Sequence, residues 1–77
     1  MLVINQILGN INTDEKWKEL YQVMRSENHV HTIMFTRKES ERSRLYKKLP
    51  GFDEEIGINI KRGTILHDGD VLYYKEG

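Results

Sequence analysis

The alternation Ile56-Gly57-Ile58-Asn59-Ile60 constrains this chain more tightly than any other feature. Side chains on a strand change face at every residue, so three isoleucines on one side predict a half-buried strand. The same stretch, Glu55 to Tyr74, continues through a turn at Arg62-Gly63 and a short apolar segment, Thr64-Ile65-Leu66. His67-Asp68-Gly69-Asp70 then predicts a second turn, because glycine accepts positive φ and aspartate hydrogen-bonds its own backbone. Val71 to Tyr74 resumes as a β-rich strand. The adjacent Tyr73 and Tyr74 are therefore expected on opposite faces, one of them partly exposed.

Upstream, Leu2 to Leu8 is rich in β-branched residues, ends at Gly9-Asn10 and predicts a strand. Asn12-Thr13-Asp14 is a helix-start signal, since their side-chain oxygens accept from the free amides of a first turn. Trp17, Leu20, Tyr21 and Met24 recur at helical spacing, which predicts an amphipathic helix over about residues 13–25 with its stripe against the sheet. After a loop at 26–28, His29 to Arg37 reads as a strand, and Lys38 to Arg42 as a charged turn. Ser43 to Leu49 forms another strand, with Leu45, Lys47 and Leu49 opposite Arg44, Tyr46 and Lys48. Pro50-Gly51 breaks the ladder, and 52–54 complete a hairpin loop. Lys75-Glu76-Gly77 reads as a frayed end or the start of a connection. About five or six short strands and one helix predict a β-rich α+β fold, either two small packed sheets or an open barrel.

Composition narrows the function classes. At 77 residues the chain makes one domain, spanning 1–77, with a thin core. It contains no cysteine, which removes disulfides and thiolate metal sites. No apolar run approaches the roughly 20 residues a membrane span needs, and no signal-peptide pattern is present, so the cytoplasm is the expected location. Acidic and basic residues cancel at 12 each, leaving no global field to attract nucleic acid or an acidic membrane.

Four motifs in order carry a family resemblance. Glu55-Ile56-Gly57-Ile58, then Lys61-Arg62-Gly63-Thr64-Ile65-Leu66, then Asp68-Gly69-Asp70-Val71-Leu72, together with Arg42-Ser43-Arg44-Leu45 upstream, are similar to the N-terminal domain of the urease accessory protein UreE family, the nickel metallochaperones. Ile7-Leu8-Gly9-Asn10 is similar to the end of that family's first strand. The resemblance implies two small stacked sheets with a short helix, similar to the peptide-binding domain of Hsp40 chaperones. It implies protein or peptide binding in support of nickel delivery to urease, with urease and the accessory GTPase UreG as partners and no reaction catalysed. The family's nickel ligands lie in a C-terminal domain and a histidine-bearing tail, so the resemblance places no metal ligand and no cofactor on these residues. The alternatives are a small nucleic-acid-binding β-domain using the basic strand 37–48, or a stand-alone binding module unrelated to urease.

The residues themselves offer several candidate sites. Tyr46, Phe52 and Tyr74 are the candidate partner-binding residues, because exposed aromatics near a strand edge suit capture of an extended peptide. His29 and His31 would share a face if on a strand and are the weak metal candidates, but a site needs further ligands that the spacing does not supply. Arg37 to Lys48 holds six basic residues and Tyr46, the makings of a single-stranded nucleic-acid surface, diluted by Glu39 and Glu41. A solvated strand face is the favoured reading of that run. Two acidic clusters, Asp68/Asp70 and Asp53-Glu54-Glu55, read as a turn and a strand start rather than as acid–base machinery. No nucleophile triad or phosphate-cradling loop is legible, and no enzyme is predicted.

Overall fold

A computed structural model describes residues 1–75. The expectation for Glu76 and Gly77 lies outside the described residues. Strand β1 (Leu2–Ile4) is followed by β2 (Gly9–Asn10), helix α1 (Glu15–Ser26) and a short helix α2 (Arg37–Ser40). Strands β3 (Arg44–Lys48), β4 (Glu55–Asn59) and β5 (Asp70–Val71) complete the order. They form two small sheets, one of three strands in the order β1-β4-β3 and one of two, β2-β5. The α+β class with two small sheets and one main helix is thus the one expected.

The alternation in β4 builds the centre. β4 pairs in parallel with β1 (Ile4 opposite Ile58) and antiparallel with β3 (Leu45 opposite Ile58, Tyr46 opposite Gly57). Ile56, Ile58 and Ile60 are buried with Ile4 and Leu66, and these five side chains are the buried core. Half-buried Ile7, Ile33, Phe35, Leu45, Phe52 and Leu72 pack around them. The β3–β4 hairpin turns at Leu49-Pro50-Gly51-Phe52, where the Phe52 amide donates to the Leu49 carbonyl at 3.0 Å. Gly51 takes φ 83° at the third position, where a type II turn needs positive φ, behind a proline that presets the second.

The second sheet has only two residues per strand and is held by side chains as much as by backbone. Asn10 Nδ2 donates to the Asp68 carbonyl and to Asp70 Oδ1, both at 2.9 Å, while Asn10 Oδ1 accepts from the Asn12 amide at 2.7 Å. Asp70 Oδ2 accepts from the His67 amide at 2.7 Å. Gly9 and Asn10 are therefore a strand rather than the boundary of one. The strand expected over Leu2 to Leu8 stops at Ile4. α1 starts on Asp14, whose carboxylate accepts from the Lys16 amide at 3.0 Å. The ring of Trp17 lies directly on Gly9, where any β-carbon would collide with it.

One strand is corrected: His29 to Arg37 forms no ladder. Both its ends are engaged elsewhere. Asn28 takes φ 59°, its amide donates to Arg25 and the His29 amide donates to the Met24 carbonyl at 2.9 Å, which closes α1 in the Schellman pattern. At the other end Thr36 caps α2 in a reciprocal box with Glu39, with bonds of 2.9 and 3.2 Å. Between these ties Ile33 and Phe35 face the core while Met34 is 79% exposed. The last strand is also shorter than expected. It ends at Val71, so Tyr73 and Tyr74 lie off the ladder and both are exposed.

Replacing Ile58 with alanine removes the most buried side chain and should destabilise the fold by about 2–5 kcal/mol in denaturant titration. A second outcome concerns acid. Glu39 accepts from the Thr36 amide and pairs with Lys47 at 3.0 Å, and these contacts lower its carboxyl pKa from the ordinary 4.5. Its contribution to stability is then present above that ordinary value and lost as pH falls through the lowered folded value. Glu39→Gln should lower stability at pH near 7 and flatten the acid limb of the stability curve.

Candidate partner-binding surface

The three-stranded sheet shows one face to the core and the other to solvent. Period-two alternation puts Leu2, Ile4, Ile56, Ile58, Leu45 and Lys47 inside. Val3, Gly57 and Tyr46 form the opposing row, one residue from each strand. Gly57 leaves a hollow in this outer face. Met1 Sδ and Tyr46 Cε1 lie 3.1 and 3.5 Å from where a β-carbon of Gly57 would stand. A ring laid across a strand glycine shields it, which is a structural use of Tyr46. The ring is nevertheless 68% exposed, and Met1 and Val3 beside it are exposed as well.

β1 and β3 border this sheet. Among the described residues, neither strand makes a backbone–backbone hydrogen bond except within the sheet itself and at its extension, Ile60 to Ser43. Two open edges therefore flank the outer face. Edge strands of this kind accept a further strand from another chain. Lysine and arginine on β3 keep such an edge from pairing indiscriminately.

The inner side carries a second feature. A groove of about 790 Å³ runs between α1 and the sheet, lined by Trp17, Tyr21, Phe35, Phe52 and Tyr74 among others. The apolar stripe of α1 is only half-buried, because the helix meets β2 rather than the three-stranded sheet. Phe52 packs against the core and meets His31 edge-on at 5.3 Å. Tyr74 meets Trp17 edge-on at 5.7 Å. The structure thus brings Phe52 and Tyr74 to one groove and leaves Tyr46 on the other side of the sheet. The three aromatics do not make a single site.

The remaining candidates separate in the same way. His29 Nδ1 approaches Glu27 at 3.5 Å and His31 meets Phe52 edge-on, so the shared strand face expected for them is not formed. No group of three or more metal-ligating side chains is gathered among the described residues. The basic run is not one strand. Arg37 and Lys38 lie on α2, and Lys47 points inward to Glu39 and to the Phe35 ring, 5.6 Å from its centroid. Only Arg44 and Lys48 flank Tyr46 on the outer face. Of the acidic residues, Asp70 is occupied with Asn10 and His67, and Glu54 approaches the N-terminal ammonium at 3.4 Å. No helix is long and apolar enough to cross a membrane among the described residues.

The family model described as UreE urease accessory protein, N-terminal domain, matches residues 4–77. The urease accessory protein UreE of Yersinia intermedia is 35% identical over 77 residues, 99% of this chain. UreE proteins of Yersinia enterocolitica and Yersinia pestis strain Pestoides F are each 32% identical, over 76 and 77 residues. The chain spans about 31% of the length of these relatives. No solved structure matches it.

The two kinds of aromatic should respond differently to truncation. Tyr46→Ala, on the solvent face, should cost roughly 1 kcal/mol or less. Phe52→Ala, against the core, should cost about 2 kcal/mol or more. Equilibrium unfolding of the two variants checks the order.

Proposed function

This chain belongs to the family of UreE urease accessory protein N-terminal domains, and from that premise we propose that it is a non-catalytic docking module for proteins that mature urease. The observation that carries the reading is the family match across residues 4–77. The physical support is the sheet itself. It has an apolar row on its outer face, open borders on both sides and a ring at Tyr46 that a partner can cover without disturbing the core. Backbone bonds along an edge supply affinity, and side-chain pockets on alternate positions supply selectivity.

In this role residues 1–77 act as one domain in the cytoplasm, and the partners are urease and the GTPase UreG. Nickel is the cargo of the process. No residue of this chain is assigned as a ligand for it. Tyr46 contacts a partner directly, while Phe52 and Tyr74 act from the groove side. The nucleic-acid alternative draws less support, because its basic run is divided between α2, a loop and β3.

The test is to mix the purified chain with urease apoprotein and UreG and follow co-elution on a sizing column. A stable complex that Tyr46→Ala weakens is expected. Absence of co-elution with either protein at micromolar concentrations contradicts the proposal.

A further inference from the structure

The outer face of the three-stranded sheet is chemically polarised. Its middle row is apolar: Met1, Val3 and Tyr46 around the Gly57 hollow. At one end, past the Arg44–Asn59 pair, Arg42, Arg44 and Arg62 line an open depression with Ser43, Asn59 and Gly63. Arg62 reaches it because the β4 strand ends at Asn59 and the chain turns at Lys61–Thr64, beside the start of β3. Arg62 reads from sequence only as a turn residue.

Among the described residues none of these three guanidinium groups lies within 4.0 Å of a carboxylate, and none donates a side-chain hydrogen bond. Glu41 borders the depression without pairing. Lys47, by contrast, is satisfied by Glu39. Arginine presents a planar fork of donors that matches a carboxylate on two atoms. Three of them beside an apolar row and an open β3 edge make a surface that is cationic at one end and greasy along its length.

We propose that this face docks an extended protein segment in which acidic residues alternate with or flank apolar ones. The apolar side chains cover Tyr46, Met1 and Val3, and the carboxylates sit among Arg42, Arg44 and Arg62. The segment lies against β3, where an added strand points every second side chain over this face. Charge complementarity selects an acidic protein rather than a nucleic-acid strand. A phosphodiester chain needs cations along its whole path, and the far end of the face carries Glu55 opposite Lys48, with Glu54 beside it. The proposal rests on the docking reading above and names the chemistry of its partner.

The isotope-labelled full chain is titrated with a short synthetic peptide alternating glutamate and leucine, and amide shifts are mapped. The expected changes fall on residues 42–46, 57–59 and 62, weaken with added salt and are absent with the lysine–leucine counterpart. Reversing all three arginines to glutamate should weaken binding about tenfold, as loss of three exposed charge pairs would. The three arginine-to-lysine changes keep the charge and should cost less, and their unchanged amide spectrum verifies the fold. Shifts confined to α1 and the groove, equal binding of the lysine peptide, tighter binding of a single-stranded oligonucleotide, or no binding at all would each overturn the proposal. Retained co-elution with urease or UreG alongside such a result refutes this surface alone. Peptide binding without co-elution refutes the urease role alone.

Discussion

The row of isoleucines on β4 is the constraint on which the other parts depend. Among the described residues β4 is the only strand hydrogen-bonded on both sides; Ile58 sits between Ile4 of β1 and Leu45 of β3, and Ile56 between Leu2 of β1 and Lys47 of β3. With Ile60 and Leu66 these two isoleucines account for all but one of the buried side chains. A chain of this length hides only about 60% of its unfolded surface, so few positions exist to share that burden. The second sheet, α1 and the segment before α2 are fastened around this centre by caps, turns and side-chain hydrogen bonds rather than by a core of their own.

That division explains what could be read from sequence. The period-two pattern at 56–60, the Pro50-Gly51 turn and the alternation across 44–48 are local signals, and each corresponds to the observed structure. The helix was legible because Asp14 and the Trp17–Met24 stripe supply both a start and a face. The failure at His29 to Arg37 has the opposite origin. Its alternation was real enough to bury Ile33 and Phe35, but a strand also needs a partner, and pattern does not show one. Asn28 and the Thr36–Glu39 box were the available signals that both ends belong to helices. Gly9-Asn10 reads as a boundary along the chain because its pairing depends on Asp68 and Asp70, distant in sequence. For the same reason neither the separation of Tyr46 from Phe52 and Tyr74 nor the meeting of Arg62 with Arg42 and Arg44 could be read along the chain.

The two sides of the sheet consequently differ in character. The inner side is partly filled: its aromatics lean on the core, on each other or on a histidine around the groove below α1. The outer side is uncovered, with a methionine and a tyrosine over a glycine and, at one end, arginines that pair with no carboxylate among the described residues. Exposure of this kind on a rigid sheet costs a small domain little and leaves a surface a partner can use. It also leaves the helix side freer to open locally, since its hydrogen bonds lie outside the best-buried region.

Native-state amide hydrogen exchange addresses the central claim most directly. The account predicts that the slowest amides are those of β4 and its ladder partners in β1 and β3, exchanging only through global unfolding. Amides of α1 and of residues 29–36 should exchange earlier, through local opening. Slowest exchange in α1, with β4 opening before it, would contradict the account.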